Sequence, residues 1–241
     1  MPTLDICLSP ELLHLFNPKG KIVVVTDILR ATSCMVTGLA NGVHSIIPVD
    51  TLDKCRKLGL KKGYITAAER DGKKAEGFDI GNSPFSYMED AVKGKTVVVT
   101  TTNGTRAISE ASDAKEIIIG SFLNLDAIAS YLSIKQKDVI VVCAGWKGHV
   151  NMEDTLFAGA LAHILNGDFT SKQDATDMAI HLWNLAKDDL EGFLSNCSHA
   201  RRLQNLDITD DIAFCLTLNK YQVVPVMKGE SLVPASLASV A

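Results

Sequence analysis

The chain carries a series of short runs rich in valine and isoleucine, separated by longer segments of mixed polarity. Because these runs do not alternate between apolar and polar residues, they are typical of strands buried on both faces of a parallel sheet. A weaker strand is predicted at 64–68, and an edge strand at 223–226, where Pro225 cannot donate a ladder hydrogen bond. The clearest predicted strands are 22–26, 45–49, 96–100, 116–119 and 139–143.

Segments with helical patterns lie between these runs and predict helices at 31–39, 105–111, 125–134 and 154–165. The alternation indicates an α/β fold, a mostly parallel sheet with helices on both faces. After residue 171 two further helices are predicted, at 175–186 and 210–218, before any strong strand. We therefore expect one domain over 1–241, with a more helical C-terminal portion that forms a cap at about 171–220 and with no internal repeat.

Composition narrows the class of protein. Hydrophobic residues make up 46% and charged residues 22% of the chain, as in ordinary globular proteins, and the net charge of −4 gives no basis for nucleic-acid binding. No apolar run approaches the roughly 20 residues of a membrane-spanning helix, and the first residues do not form a signal peptide. We expect a cytoplasmic protein with no membrane partner. The six scattered cysteines favour reduced, buried thiols over disulfides.

Polar and glycine-rich residues follow four of the predicted strands. If all strands point one way, these residues meet at one edge of the sheet, where ligands of such folds bind. The pattern predicts one composite site. Its groups are Asp27 with Arg30; Glu69 with Arg70 and the segment 79–84; the segment 100–106; and the segment 143–148, followed by Glu153 and Asp154.

The segment between the strand 96–100 and the next helix is a candidate anion site. Its backbone N–H groups and the helix dipole would face the anion, with Gly104 allowing close approach. An ordinary N-cap by Thr102 or Asn103 is the alternative. The residues concerned are Thr101, Thr102, Asn103 and Gly104. Bidentate partners for a phosphate or sulfonate would be Arg30, Arg70 and Arg106.

Five carboxylates are candidate ligands for Mg²⁺, which takes oxygen ligands, commonly one or two carboxylates plus water and substrate phosphate. Glu153 and Asp154 could instead complement a helix dipole, and Asp27 could cap the following helix or pair with an arginine. The five are Asp27, Glu69, Asp79, Glu153 and Asp154.

Candidate nucleophiles are less clear. Cys143 ends a strand before a glycine-bearing loop, as a thiolate nucleophile would, but His149 stands where cysteine phosphatases carry an arginine. Asp27 could form an aspartyl phosphate, but Leu29 stands where haloacid-dehalogenase enzymes carry a second aspartate. His149 and His199 are the histidines in polar surroundings, and His199 is retained as a candidate catalytic residue.

The chain resembles the 2-phosphosulfolactate phosphatase family in five motifs that occur in order over about residues 27–225. The resemblance implies an α/β fold and magnesium-dependent hydrolysis of 2-phospho-3-sulfolactate to 3-sulfolactate and phosphate, a step towards coenzyme M. It also adds Asn82, Ser83 and Gly145 to the expected substrate-binding residues. The motifs are 27–32, 69–70 with 77–84, 101–107, 143–145 with 153–159, and Ser198-His199 with Asp211 and Cys215.

From these observations we expect catalytic roles for Asp27, Arg30, Glu69, Arg70, Cys143, Glu153 and His199. The expected partner is a small phosphorylated acid, and the expected assembly is a homodimer. Asn219 departs from the family pattern, because many relatives are expected to carry an acidic residue there. The alternative function is a non-catalytic domain that binds a phosphorylated or sulfonated metabolite; it would need the arginines but no clustered carboxylates.

Overall fold

A computed structural model describes residues 1–195, 197 and 208–236 of the chain. Its strands are β1 Leu4–Cys7, β2 Ile22–Thr26, β3 Ser45–Pro48, β4 Ile65–Arg70, β5 Lys73–Lys74, β6 Thr96–Thr100, β7 Glu116–Gly120, β8 Val139–Cys143, β9 Pro225–Lys228 and β10 Ser231–Pro234. Its α-helices are α1 Ala31–Ala40, α2 Leu52–Lys62, α3 Gly104–Glu110, α4 Leu125–Lys135, α5 Met152–Ile164, α6 Asp174–Ala186, α7 Leu190–Leu194 and α8 Thr209–Cys215. Short 3₁₀ helices lie at Pro10–Leu15, Pro84–Tyr87, Asp90–Val92 and Phe122–Asn124.

The strands form one sheet in the order β1-β8-β2-β7-β9-β10-β3-β6-β4-β5. Pairing is parallel within the first block, β1-β8-β2-β7, and within the second block, β3-β6-β4. The hairpin of β9 and β10 pairs antiparallel with both blocks, so the two blocks run in opposite directions. The predicted α/β fold with a mostly parallel sheet is confirmed, but the expectation that all strands point one way is wrong.

The chain contains a repeat that we did not expect from its sequence. The unit β2-α1-β3-α2-β4 is followed by a second unit of the same order, β6-α3-β7-α4-β8. The first strand of each unit lies between the last two strands of the other: β6 between β3 and β4, and β2 between β7 and β8. The sequence signal is brief, since Lys-x-Val-Val-Val-Thr occurs at 21–26 and again at 95–100.

The sheet bends around α1 and α3. In a flat sheet the five strand spacings from β2 to β6 would separate these strands by roughly 24 Å. Instead, a Cβ built at Gly104, just after β6, would lie 2.8 Å from the Asp27 side chain, just after β2. Each junction between hairpin and block is a single residue pair, which permits the bend. The valines of β2 and β6 share one core with α1, which is therefore buried along almost its whole length.

Outer helices cover the other faces of the two blocks. The helices α4 to α6 pack on the first block around Val24, Leu156 and Trp183, and α2 packs on the second block through Cys55. The predicted helices and the six other predicted strands are confirmed to within a few residues, whereas the edge strand at 223–226 is wrong. The observed strand, β9, begins at Pro225, lies between β7 and β10, and tolerates proline as its first residue.

Five of the described strands and α-helices were not predicted: β1, β5, β10, α2 and α7. The helix α2 fully buries only Cys55 and Gly59, and Leu52 and Leu58 beside them are half-buried, so its apolar face is narrow. None of the described helices is long and apolar enough to cross a membrane.

Candidate active site

Residues that follow β2, β4, β6 and β8 meet in one cleft, which we call the central cleft. The bend of the sheet brings these strand ends together, although the two blocks run in opposite directions. Its described lining is Asp27, Leu29, Arg30, Glu69, Asp71, Gly72, Asn82, Thr102, Asn103 and Trp146.

Asp27 lies at the base of the cleft and is 6% exposed. Its Oδ1 accepts a hydrogen bond from the Ala31 N–H at 3.3 Å, and its own N–H donates to the Thr32 hydroxyl at 2.9 Å. Asp27 therefore caps α1, as the alternative interpretation held, and lines the cleft as well. A Cβ at Gly104 would lie 2.6 Å from the Ala31 Cβ, so only glycine lets α3 begin this close to Asp27.

Asp154 is fully buried behind the cleft and joins two of its loops. Its Oδ1 accepts from the Ile28 N–H at 2.8 Å and its Oδ2 from the Gly145 N–H at 3.0 Å. Burial raises the pKa of Asp154 well above its usual value, and the neighbouring carboxylates of Asp27 and Glu153 raise it further. A helix-dipole role alone does not explain these contacts, and a cation bound nearby would favour the charged form of this carboxyl group.

Glu69, at the end of β4, is 9% exposed and links two turns of the cleft. Its Oε1 accepts from the Gly72 N–H at 2.5 Å, and its Oε2 accepts from the Thr102 N–H at 3.4 Å and the Thr102 hydroxyl at 3.3 Å. The cap of α3 is made instead by Thr101, whose hydroxyl oxygen accepts from the Thr105 N–H at 3.2 Å. Thr102 and Asn103 thus line the cleft without capping that helix.

Arg30 is the guanidinium of the cleft and is 5% exposed. It forms an ion pair with the buried carboxylate of Asp211, and its Nη2 donates to the Gly72 carbonyl at 3.0 Å. Ser83 donates to the Asp211 Oδ1 at 2.9 Å. Asp211 lies in helix α8 and holds Arg30, which is 181 positions earlier in the chain. The C-terminal portion therefore takes part in building the site.

Asn82 is buried to 9% exposure and lines the cleft. Its Oδ1 has no hydrogen-bond partner among the described residues. Because buried polar groups are normally paired, an amide in this state is suited to meet a ligand or water.

Nine residues of the predicted substrate and metal sets do not line the cleft: Arg70, Asp79, Ser83, Thr101, Gly104, Arg106, Gly145, Glu153 and Asp154. Arg70 braces strand ends, donating to the Glu69 carbonyl at 2.6 Å and to the Thr100 hydroxyl at 3.2 Å. Gly145 supplies its N–H to Asp154 and is held close to the carbonyl of His149. The exposed carboxylate of Asp79 accepts from the N–H and hydroxyl of Thr66 at 2.8 and 2.7 Å, near the start of β4 rather than its end.

Arg106 also lies away from the cleft, although sequence analysis placed it among the anion-binding residues. It is 45% exposed and forms ion pairs with Glu11 at 2.8 Å and Glu110 at 2.6 Å. The guanidinium lowers the pKa of Glu11 through a hydrogen bond and its charge. As an early residue of α3, Arg106 points along the outer face of that helix.

Cys143 is fully buried at the end of β8 and does not line the cleft. Burial raises the pKa of its thiol well above the ordinary value, and Asp154 raises it further. This environment disfavours a thiolate nucleophile. All six cysteines are free and buried, as the reduced-thiol prediction requires. His199 lies outside the described residues.

The cleft includes residues that sequence reasoning missed. Asp71 and Gly72 form the turn after β4, so their position after a strand was the available signal; Trp146 lies within the expected segment 143–148 but was not singled out there. For Asp211, the only signal in the sequence was its place in a motif of the resembled family. Asn219, the departure from the family pattern, accepts from the Asp126 N–H at 2.8 Å and so anchors the start of α4.

Comparison with known proteins identifies the chain. A family model described as 2-phosphosulpholactate phosphatase matches residues 7–230. A protein of Caldanaerobacter subterraneus subsp. tengcongensis, named a probable 2-phosphosulfolactate phosphatase, is 41% identical over 215 residues, 87% of this chain and 89% of that protein. Proteins with the same name from Thermotoga petrophila (40% over 207 residues, 86% and 89% of the chains) and Clostridium acetobutylicum (37% over 226 residues, 92% and 96%) are also similar.

These matches indicate a phosphoric monoester hydrolase. Within that class, the chain belongs to the 2-phosphosulfolactate phosphatase family.

Proposed function

We propose that this protein hydrolyses the phosphate ester of 2-phospho-3-sulfolactate, or of a closely related small phosphorylated acid, and that it requires Mg²⁺. The products would be 3-sulfolactate and phosphate. The observation that most supports this proposal is the meeting of Asp27, Glu69, Arg30 and Asn82 in one cleft. A domain that only binds an anion would not need two nearly buried carboxylates beside its arginine.

The residues present fit a magnesium ion. No ready-made group of three metal-binding side chains occurs among the described residues, but Mg²⁺ commonly uses one or two carboxylates together with water and substrate phosphate. Asp27 is the cleft carboxylate that would hold it, since the buried charges of Asp154 and Glu153 lie close by. When bound, the ion neutralises charge on the phosphoryl oxygens.

The remaining groups supply orientation and proton transfer. The guanidinium of Arg30, held by Asp211 and Gly72, presents its charge to the phosphoryl group and stabilises the transition state. The water oxygen bonds to phosphorus while Glu69 takes its proton; the ester P–O bond breaks, and the leaving alkoxide takes a proton from solvent. The Oδ1 of Asn82, unpaired within the described residues, accepts a hydrogen bond from the attacking water.

The test is phosphate release from a panel of phosphorylated acids, with and without a chelator. We expect turnover that is abolished by exhaustive chelation and restored by Mg²⁺. Undiminished turnover after chelation would exclude the metal requirement. Binding of the panel without any release of phosphate would favour the non-catalytic binding domain.

A further inference from the structure

The charges that line the central cleft do not suit a substrate with several acid groups. Among the described lining residues, the carboxylates of Asp27, Glu69 and Asp71 face a single guanidinium, that of Arg30. Arg30 is shared with Asp211 in a buried ion pair, so it has little positive charge to spare for a second acid group beside the phosphate. A substrate that carries a further carboxylate or sulfonate beside its phosphate therefore needs another cation from the protein.

Lys147 is placed to provide that cation. It sits on the loop after β8 and contacts three residues of the cleft lining. Its N–H donates to the Asn103 Oδ1 at 3.0 Å, and its Nζ lies 3.1 Å from the Asp71 Oδ1 and 4.8 Å from the centre of the Trp146 ring. The backbone is thus anchored to the rim, and the ammonium rests over an aromatic face beside the opening.

The ion pair of Lys147 with Asp71 can be exchanged at little cost. The two side chains are 50% and 80% exposed, and exposed pairs of this kind contribute only about 0–1 kcal/mol. An ammonium is a compact charge that accepts a carboxylate or a sulfonate without a fixed geometry. A substrate anion can therefore displace the Asp71 carboxylate from Lys147.

We propose that Lys147 recognises the acid group that accompanies the phosphate of the substrate, and that Asp71 competes with that group for the ammonium. The inference rests on the proposed function and assigns substrate selection to the rim of the same site. It makes two predictions of opposite sign: loss of the lysine weakens binding of the acid, whereas neutralisation of Asp71 strengthens it.

The experiment compares three phosphate esters at saturating Mg²⁺: 2-phospho-3-sulfolactate, 2-phospholactate without the sulfonate, and phenyl phosphate without any second acid group. For 2-phospho-3-sulfolactate, Lys147→Gln should raise KM by roughly tenfold with kcat little changed, the signature of lost uniform binding by a charged group. Asp71→Asn should lower KM by roughly two- to fivefold. Lys147→Arg should retain most of the affinity, and Lys147→Gln should raise KM for phenyl phosphate far less than KM for 2-phospho-3-sulfolactate.

Lys54→Gln is the matched control, because Lys54 is also an exposed lysine in an ion pair with an aspartate, Asp50, at 2.8 Å. It should leave KM for every ester unchanged. An effect of Lys147→Gln on 2-phospho-3-sulfolactate that is absent with 2-phospholactate assigns the lysine to the sulfonate, and an equal effect on both assigns it to the carboxylate.

Two results would overturn the inference while the proposed function survives: an equal rise of KM with phenyl phosphate, or a rise of KM in Asp71→Asn. If the wild type releases no phosphate from any ester, the proposed function fails, and calorimetry with 3-sulfolactate decides the inference separately. Weaker binding to Lys147→Gln than to the wild type supports it; equal binding, or none to either, overturns it.

Discussion

The two repeated units give the central cleft different kinds of groups from equivalent turns. The turn after β2 brings Asp27 and Arg30, both charged, whereas the turn after β6 brings Thr102 and Asn103, both neutral. The last strands differ in the same way, since β4 carries Glu69 near its end and β8 ends on the buried thiol of Cys143. Among the residues that line the cleft, the first unit supplies all the charged groups, and the second unit supplies neutral ones.

The first residues of the two turns, Asp27 and Thr101, have the same structural role and differ in charge. Asp27 accepts a hydrogen bond from an N–H at the start of α1 at 3.3 Å, and Thr101 accepts one from an N–H at the start of α3 at 3.2 Å. Both residues therefore stabilise the helix that follows. A carboxylate in place of Thr101 would add like charge beside a cluster that already raises the pKa of Asp154.

The largest expected effect is on kcat, and it distinguishes Asp27 from Thr101, the equivalent residue of the second unit. Asp27→Asn should lower kcat by roughly a hundredfold or more, because it removes the carboxylate that we assign to the metal. Its melting temperature should not fall, since repulsion with Asp154 is relieved. Thr101→Val should do the opposite, costing about 1 kcal/mol of helix capping with little loss of turnover.

Phosphate release and thermal unfolding of both variants provide the test. Wild-type turnover in Asp27→Asn would show that the charged unit does not carry the chemistry.

A smaller effect should distinguish the arginines of the two units. Arg30→Lys should lower kcat/KM by roughly tenfold, because an ammonium cannot contact Asp211 and the Gly72 carbonyl while presenting a planar fork to the phosphate. Arg106→Lys should leave kcat/KM unchanged, since its exposed ion pairs with Glu11 and Glu110 contribute about 0–1 kcal/mol.

Both variants should be assayed with a sulfonated and an unsulfonated phospho-acid. Equal losses in the two variants would place Arg106 at the substrate, contrary to its position on the outer face of α3.

The smallest expected effect concerns Cys143. Because its thiol is fully buried and burial raises its pKa, Cys143→Ser should retain substantial turnover if the fold is maintained. Turnover, a thermal melt and the mass of the acid-quenched enzyme are the measurements. Loss of activity in a folded variant, together with a trapped phosphocysteine in the wild type, would make Cys143 the nucleophile.

Strands and site residues differed in how far the sequence could predict them. Uninterrupted valine and isoleucine revealed the buried strands, and position after a strand located Asp27, Glu69 and Thr102 in the cleft. Arg70 followed the same rule and failed it, because neighbouring residues of a strand point to opposite faces and Glu69 takes the cleft side.

The order of the strands and the opposite directions of the two blocks could not be predicted in this way. A run of valines indicates a strand that is buried on both faces, but it does not say which strands are its neighbours, so the opposed blocks could not be foreseen. The ion pair of Arg30 with Asp211 joins residues 181 positions apart, and no local pattern encodes a contact of that range.

The interleaving of the first strands has a consequence for the growing chain on the ribosome. The strands β3 and β4 are completed before β6, the strand that must come between them, has been made. Likewise β2, at residues 22–26, cannot be paired on both sides until β8, at residues 139–143, has been synthesised. Such long-range pairing is slow to form, and it leaves apolar strands without their neighbours during synthesis. Neither unit is a module that could be cut out and folded alone, because each one holds the strand that the other lacks.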